Sequence, residues 1–435
     1  MSWGQPEAGE VAASVLSSVV VSADEFAQEA ALDYWDMSAA AHREVVALLR
    51  GALAATPAAD DGGAAGLAAL DAVLAAPARP DLIAVLAGLI GPGVAMACAE
   101  QPAGGPAAGE WRALAGQAVR ADVTTRLYMH TGTGYRASVP EVTAAVLSRP
   151  DGDAAPGPGP VPVQDPGTAP AAVIVIPFRD RSDGQGRLRN LLACLRALGD
   201  QSVPRPRYRT VVVELDAEPR HEKVIGDRAD QYLFLSCPGH FNKAWGVNAG
   251  VVQAGNNSPV ICILDADVLV DRDFLARNLA RFGTRGHQAH WPFRDPLCLD
   301  PPSANAAVTQ RCIEGKPDVD PELVRGVHLR QPPGHCVWLR DGLFRRIGGM
   351  DERFEGWGGE DLDFVYRLNV VGPLDRYDDR LLHLYHPRPQ ITKDGERFYA
   401  GRQLLTWRPA GPIGQPDGPC GSVGDDLAGI IRGAS

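Results

Sequence analysis

Apolar and polar positions divide the 435-residue chain into two textures. Up to about residue 149, apolar residues recur every three or four positions in an alanine-rich background, the spacing of amphipathic helices. Val11–Leu32 and Ala39–Ala54 follow it best, with Ser38 placed to cap the second helix through its hydroxyl. Asp60–Gly66 and Gly104–Gly109 read as breaks. Leu82–Ala99 is 18 uncharged residues, the lower limit for crossing a bilayer. Gly91-Pro92-Gly93 at its centre favours a turn between two buried helices, so no membrane span is expected.

After residue 171 the pattern changes. Ala172–Pro177, Thr210–Leu215, Gln231–Leu235 and Pro259–Leu264 are short, continuous, β-branched apolar runs, the signature of strands buried on both faces. Arg187–Leu198 and Phe241–Gln253 between them have helical spacing. Alternation of this kind predicts a parallel sheet with helices on both sides and a ligand site beyond the carboxyl ends of its strands. Pro150–Pro170 carries seven prolines and reads as a semi-rigid linker. The expected organisation is a mainly α-helical domain at 1–149, a linker at 150–170, an α/β domain at 171–408 and a Gly/Pro-rich tail at 409–435.

Composition narrows the options. Hydrophobic residues at 45% and charged residues at 22% describe a folded chain. With 42 Lys and Arg against 53 Asp and Glu, the net charge of −11 argues against a nucleic-acid binder. Eight scattered cysteines include no C-x-x-C pair, which disfavours a zinc ribbon and favours reduced thiols. Met1–Glu10 has two glutamates and no basic residue, unlike a secretory leader, so a cytoplasmic protein is expected.

Chemistry-bearing residues cluster after the strands. Pro177-Phe178-Arg179-Asp180-Arg181 offers two guanidiniums suited to phosphate and an aromatic ring for a base; the competing reading is a solvated turn. Asp265-Ala266-Asp267 follows a fully apolar strand. Two carboxylates there repel each other unless a hard divalent cation sits between them, the competing reading being a turn with Asp267 as a cap. Trp357-Gly358-Gly359-Glu360-Asp361 opens a helix running through Arg367. Its glycines allow close backbone approach, and an ionised carboxylate at a helix start, beside an indole, suits a general base for a hydroxyl. His383 and His386 lie downstream, and His386 is favoured as the residue completing a Mn²⁺ site. Tyr128, His130, Tyr135 and Arg136 read as packing at a domain edge.

The order of these motifs over residues 171–408 resembles glycosyltransferases of the GT-A fold, most closely the β1,4-galactosyltransferase group and more weakly the polypeptide N-acetylgalactosaminyltransferases. Ile176–Arg181 looks like the first nucleotide-contacting loop. Phe241-Asn242-Lys243-Ala244 with Asn248-Ala249-Gly250 is similar to the F-N-R-A helix start, with Lys243 in place of the usual Arg. Leu264–Asp267 matches the D-x-D position, and Gly348–Asp351 through Trp357–Asp361 matches the G-W-G-G-E-D segment. The resemblance implies a Rossmann-like nucleotide-diphospho-sugar transferase domain that moves a hexose or N-acetylhexosamine from a UDP-sugar to an acceptor hydroxyl, a glycan, a peptide or a small natural product. It further implies UDP contacts from Pro177, Phe178, Arg179, Arg181, Phe241, Asn242 and Lys243. Asp267, Asp265 and His386 would hold Mn²⁺ or Mg²⁺. Trp357, Gly358 and Gly359 would line the sugars, Glu360 would bind one of them, and Asp361 would be the base.

The Glu-Asp order favours inversion over retention. The lack of a membrane anchor and the alanine-rich composition suggest a cytoplasmic, bacterial-type relative. A retaining transferase, a scaffold that keeps nucleotide-sugar binding without catalysis, and a nucleotidyltransferase are the alternatives; the last would want a Gly-rich, basic loop where Pro177-Phe178-Arg179 stands. Residues 1–149 are expected to bind the acceptor, to dimerise or to dock on a partner enzyme.

Overall fold

The computed structural model describes residues 7–30, 35–57, 62–99, 106–125, 127–148, 170–182, 184–255, 258–356, 358–372, 374–387, 392–393, 396–397 and 403–419. The proline-rich linker, apart from Pro170, lies outside them. The chain forms two compact units: one comprises 1–140, 295–306 and 320–331, and the other 141–294, 307–319 and 332–435.

The first unit is helical, as the spacing predicts, with differences at the punctuation. The expected Val11–Leu32 helix is two helices, Ala8–Ala23 and Glu25–Ala30. They separate at Asp24, whose carboxylate accepts a hydrogen bond from the Ala27 N–H at 2.8 Å and so caps the second. Ser38 lies inside the Trp35–Ala55 helix rather than at its cap, and Gly62–Gly66 is already helical. Pro80–Cys98 is one continuous helix with Pro92 inside it, not two helices and a turn. Leu86, Ile90 and Val94, four residues apart, bury one stripe of it in the core formed with Val15, Val19, Leu49, Leu70, Trp111 and Leu114. Gly93 serves packing: a Cβ there would run into the Trp111 indole. By length and composition this is the one described helix that could cross a membrane, a test that core helices also pass.

Three strands complete this unit. Leu127–Thr131 pairs antiparallel with Arg325–Leu329, which pairs antiparallel with Leu297–Leu299. Two of the three come from the stretch assigned by sequence to the α/β domain. Arg325 anchors them: 3% exposed, it is ion-paired to Asp300 at 3.0 Å and to Asp24 of the helical segment. Tyr135 donates to the same Asp300 at 2.8 Å. Cutting the chain at 149 would therefore strip a buried guanidinium of one carboxylate.

The second unit is the expected α/β domain. In its seven-stranded sheet, Val260–Leu264, Ala172–Phe178, Tyr208–Asp216 and Gln231–Ser236 run parallel in that order. Cys336–Arg340 then joins antiparallel to Val260–Leu264, with Ala289–Trp291 beyond it. Every residue of Ala172–Phe178 and Val260–Leu264 is buried, as their unbroken apolar sequences require. The Lys243–Gln253 helix lies close against the sheet because Gly246 and Gly250, one turn apart, face it. A Cβ on Gly246 would meet Leu215, and one on Gly250 would meet Val175 and Val213. Replacing Gly250 with Leu should overpack this contact and lower stability by about 2 kcal/mol in chemical denaturation.

Candidate active site

The site gathers at the carboxyl ends of the parallel strands. Asp265 and Asp267 leave the end of Val260–Leu264. Lys243 is supplied by the first residue of its helix, which Asn242 caps: Asn242 Oδ1 accepts from the Trp245 N–H at 2.9 Å while its Nδ2 donates to the Glu352 carbonyl at 2.7 Å. Glu360 and Asp361 open the Glu360–Val371 helix after a turn that only glycine accommodates easily, with φ of 95° at Gly358 and 92° at Gly359. Asn248 ties the segment leading to that turn to the Lys243–Gln253 helix: its Oδ1 accepts from the Met350 N–H at 2.8 Å and its Nδ2 donates to the Met350 carbonyl at 2.9 Å.

Lys243 stands at the centre, its side chain 10% exposed. Its ammonium lies 2.7 Å from Asp265 Oδ1 and 2.9 Å from Asp361 Oδ2, joining the D-x-D strand end to the candidate base. Burial disfavours the charge, but Asp265, Asp361 and Glu360 outweigh it and hold the ammonium well above the usual lysine range. Glu360 behaves oppositely. Burial, reinforced by Asp361, pushes its carboxyl up to about 8, so it carries its proton at neutral pH. Glu360 is thereby fitted to donate a hydrogen bond, while the Asp361 carboxylate beside it is paired with the Lys243 ammonium.

On the other side of the D-x-D, Asp267 Oδ2 is 3.0 Å from His386 Nε2, and Asp267 Oδ1 is 3.3 Å from His383 Nε2. Among the described residues these three form the one group of His, Cys, Asp or Glu side chains whose ligand atoms all lie within 4.8 Å of one another. Asp267 Oδ1 is buried without a hydrogen bond of good geometry. A carboxylate and two imidazoles suit a borderline cation such as Mn²⁺. Burial alone would raise the Asp267 carboxyl, but His383 and His386 hold it well below the usual range. Asp265, read from the sequence as a second metal ligand, is outside this group because Lys243 and the His335 N–H, at 3.1 Å, occupy its oxygens. His383, ranked below His386 on sequence, stands with it.

The first loop is used differently from its sequence reading. Arg179 donates to the carbonyls of Leu215, Cys237 (2.7 Å) and Gly239 (2.8 Å), and burial lowers its guanidinium to about 10. Arg181 pairs with the buried Asp216 at 2.7 Å. Both guanidiniums therefore brace the loop after Gln231–Ser236. Phe178 is 2% exposed and edge-on to His221, inside the domain rather than open to a base. Phe241 lies beneath Arg179, 5.4 Å from its guanidinium. Pro177 is buried in its strand, its Cβ next to Gly246. Trp357 lies outside the described residues. Cys237 is disulfide-bonded, correcting the expectation of reduced thiols throughout; the other six described cysteines are free.

Two residues here carry no motif. A Cβ on Gly334 would strike the Asp361 carboxylate, so glycine is required for that carboxylate's position. His335 follows it, its Nδ1 3.9 Å from Asp265 Oδ2. The only signal in the sequence is a Gly before an apolar strand.

With the geometry in place, residues 334–387 match the family model described as the N-terminal domain of galactosyltransferase. That segment contains Gly334, Glu360, Asp361, His383 and His386, so the resemblance read from the sequence is matched by a family model over this stretch. No curated protein sequence matches the chain. Among solved structures, the mannosyltransferase PcManGT from Pyrobaculum calidifontis, in complex with GDP-Man and Mn²⁺, is 19% identical over 57% of this chain and 63% of its own, with a TM-score of 0.33. The catalytic domain of Drosophila β1,4-galactosyltransferase 7, in complex with xylobiose, is 18% identical over 49% of this chain and 71% of its own (TM-score 0.27). GalNAc-T7 with UDP, GalNAc and Mn²⁺ is 14% identical over 54% of this chain and 46% of its own (TM-score 0.35). Scores this low mark a remote likeness only.

Two outcomes follow from the charges. Lys243→Met leaves two carboxylates facing each other and should lower stability by about 3 kcal/mol in urea unfolding, whereas Lys243→Arg should restore most of it. The raised Glu360 carboxyl keeps its proton in the fold while the unfolded chain loses its own above about 4.5, so its contribution weakens as pH rises from there to about 8 and then levels. Glu360→Gln should therefore gain stability relative to the wild type across that window, by at most about 1.4 kcal/mol per pH unit, with no further gain above it.

Proposed function

We propose that the second unit is a metal-dependent, inverting glycosyltransferase that moves a hexose or N-acetylhexosamine from a UDP-sugar to an acceptor hydroxyl, with Asp361 as the general base. The observation that supports this best is the bridge through Lys243, which joins the Asp361 carboxylate to Asp265 of the D-x-D, whose other acid, Asp267, belongs to the His383–His386 group. Those three residues would hold Mn²⁺. Bound there, the cation would neutralise the charge developing on the departing diphosphate.

The residues of the chain divide the remaining work. Asp361 takes the proton from the acceptor hydroxyl as its oxygen attacks the anomeric carbon, and Lys243 keeps that carboxylate oriented. Glu360, protonated at neutral pH, can donate a hydrogen bond to a sugar oxygen. Attack from the face opposite the diphosphate inverts the anomeric centre, which requires the base and the metal group to lie on different sides of the sugar. The choice of uridine rests on the motif order, and the acceptor is specified only as a hydroxyl compound. The helical unit is proposed to bind the acceptor or a partner protein.

The test is UDP release from a panel of UDP-sugars with Mn²⁺. One donor should be hydrolysed slowly without acceptor, and EDTA should abolish the release. Asp361→Asn should lower kcat by about 10²–10⁴-fold and leave UDP affinity unchanged. Wild-type turnover in that variant would remove Asp361 as the base.

A further inference from the structure

The two histidines of the metal group are held in different ways. Leu382–His383 pairs antiparallel with Val268–Leu269, and the Leu384 N–H donates to the Asp267 carbonyl at 2.8 Å, so a strand ladder fixes His383 beside the D-x-D. His386 lies beyond that pairing. Its backbone is held instead from the first turns of the Gly186–Gly199 helix. Asn190, fully buried, donates from Nδ2 to the Tyr385 carbonyl at 3.0 Å, and Arg189 donates to the same oxygen at 3.3 Å. Arg187 donates to the Pro387 carbonyl at 3.0 Å. The carbonyls on both sides of His386 are thus tied to one helix.

The same contacts select the ring nitrogen that faces Asp267. His386 Nδ1 is 3.0 Å from the Pro387 oxygen. A carbonyl only accepts, so Nδ1 carries a hydrogen there, and Nε2, 3.0 Å from Asp267 Oδ2, is the nitrogen left to bind a cation. The Pro387 oxygen has two lone pairs and serves both Nδ1 and Arg187. The helix is anchored in turn. Asp180 of the first loop, 3% exposed, accepts from the Leu188 N–H at 2.8 Å with one oxygen and from the Ser182 N–H at 2.8 Å with the other, and so caps the helix from the strand end. Asn190 is oriented by Arg189, whose guanidinium donates to Asn190 Oδ1 at 2.7 Å and 3.0 Å.

We propose that Asn190 and Arg187 are positioning residues for the divalent cation: by holding the carbonyls of Tyr385 and Pro387 they aim His386 Nε2 at the site and raise its affinity for Mn²⁺. A ligand fixed before the metal arrives gives up less conformational freedom on binding. Partners one step removed from a metal commonly change its affinity by about 10–100-fold. This inference rests on the metal-dependent reading above.

The full chain would be titrated with Mn²⁺ alone, free Mn²⁺ being read by electron paramagnetic resonance, and melted in EDTA. Arg187→Met removes one tie from a half-buried position. Asn190→Asp keeps an acceptor for Arg189 and removes the donor to Tyr385. His386→Ala removes the ligand itself and should weaken Mn²⁺ binding most. Arg187→Met and Asn190→Asp should each weaken it by about tenfold, and Arg187→Lys, which keeps a donor, should lose less. Arg187→Met should melt in EDTA at the wild-type temperature, and it decides the matter where Asn190→Asp melts early. Wild-type Mn²⁺ affinity in Arg187→Met, beside a weakened His386→Ala, would overturn this inference alone. So would a loss in Arg187→Met that comes with a lower melting temperature in EDTA and that Arg187→Lys does not reduce. A wild-type protein that binds no Mn²⁺, or a His386→Ala variant that binds it as tightly as wild type, overturns the metal reading and this inference together.

Discussion

A buried lysine ammonium between two carboxylates organises this site. Asp265 and Asp361 arrive from elements almost a hundred residues apart, and each would be repelled by the other without Lys243 between them. The lysine can reach both only because its helix lies close on the sheet, which Gly246 and Gly250 permit, and because Asn242 starts that helix at the right residue. Burial, reinforced by Asp361, leaves Glu360 protonated beside the ion-paired Asp361, so one dipeptide offers both a donor and a candidate base. Packing of small residues far from the chemistry thus sets the electrostatics at its centre.

The segment that leads to Glu360, from Gly348 to Glu352, is held by the Lys243 helix and by residues near the end of the chain. Glu352 Oε1 accepts from Asn248 Nδ2 at 2.8 Å and from the Gly414 N–H at 2.7 Å. Trp407 Nε1 donates to the Gly348 carbonyl at 2.7 Å, and Trp245 Nε1 donates to the Gln415 carbonyl at 2.8 Å. Residues 403–419 are consequently a buttress against the Lys243 helix and the Gly348-Gly349 turn. Positive φ at Gly348, Gly349 and Gly414 is what lets the backbones meet so closely. The stretch read as a Gly/Pro-rich tail carries structural weight through its glycines, which composition alone scores as looseness.

Arg179 and Arg181 show what residue type leaves open. Arg179 and Arg181 follow a buried strand, as phosphate-binding guanidiniums would, yet their donors go to the carbonyls at 215, 237 and 239 and to Asp216. A guanidinium fork serves carbonyl oxygens as well as phosphate oxygens, and a loop without its own hydrogen-bond ladder has carbonyls to satisfy. At Gly91-Pro92-Gly93 the local pattern does mislead. The pattern marks a turn in isolation, but burying Leu86, Ile90 and Val94 on one stripe outweighs the lost hydrogen bond and keeps the helix whole.

What the sequence determined by itself was local and periodic. Continuous β-branched runs placed four parallel strands, helical spacing placed the helices between them, and the order of Asp265-Ala266-Asp267, Gly358–Asp361 and His386 pointed to the candidate site, because each of these depends on neighbours within a few residues. Only the tertiary structure decided which side chains meet. It put Lys243 on Asp265 and Asp361, put His383 beside His386 on Asp267, and drew 295–306 and 320–331 into the helical unit through the Arg325–Asp24 and Arg325–Asp300 pairs. It also gave His335 its left-handed backbone and Gly334 its place against Asp361. Such contacts join residues tens to hundreds of positions apart, and their energies come from desolvation and charge pairing that exist only once the chain has closed on itself.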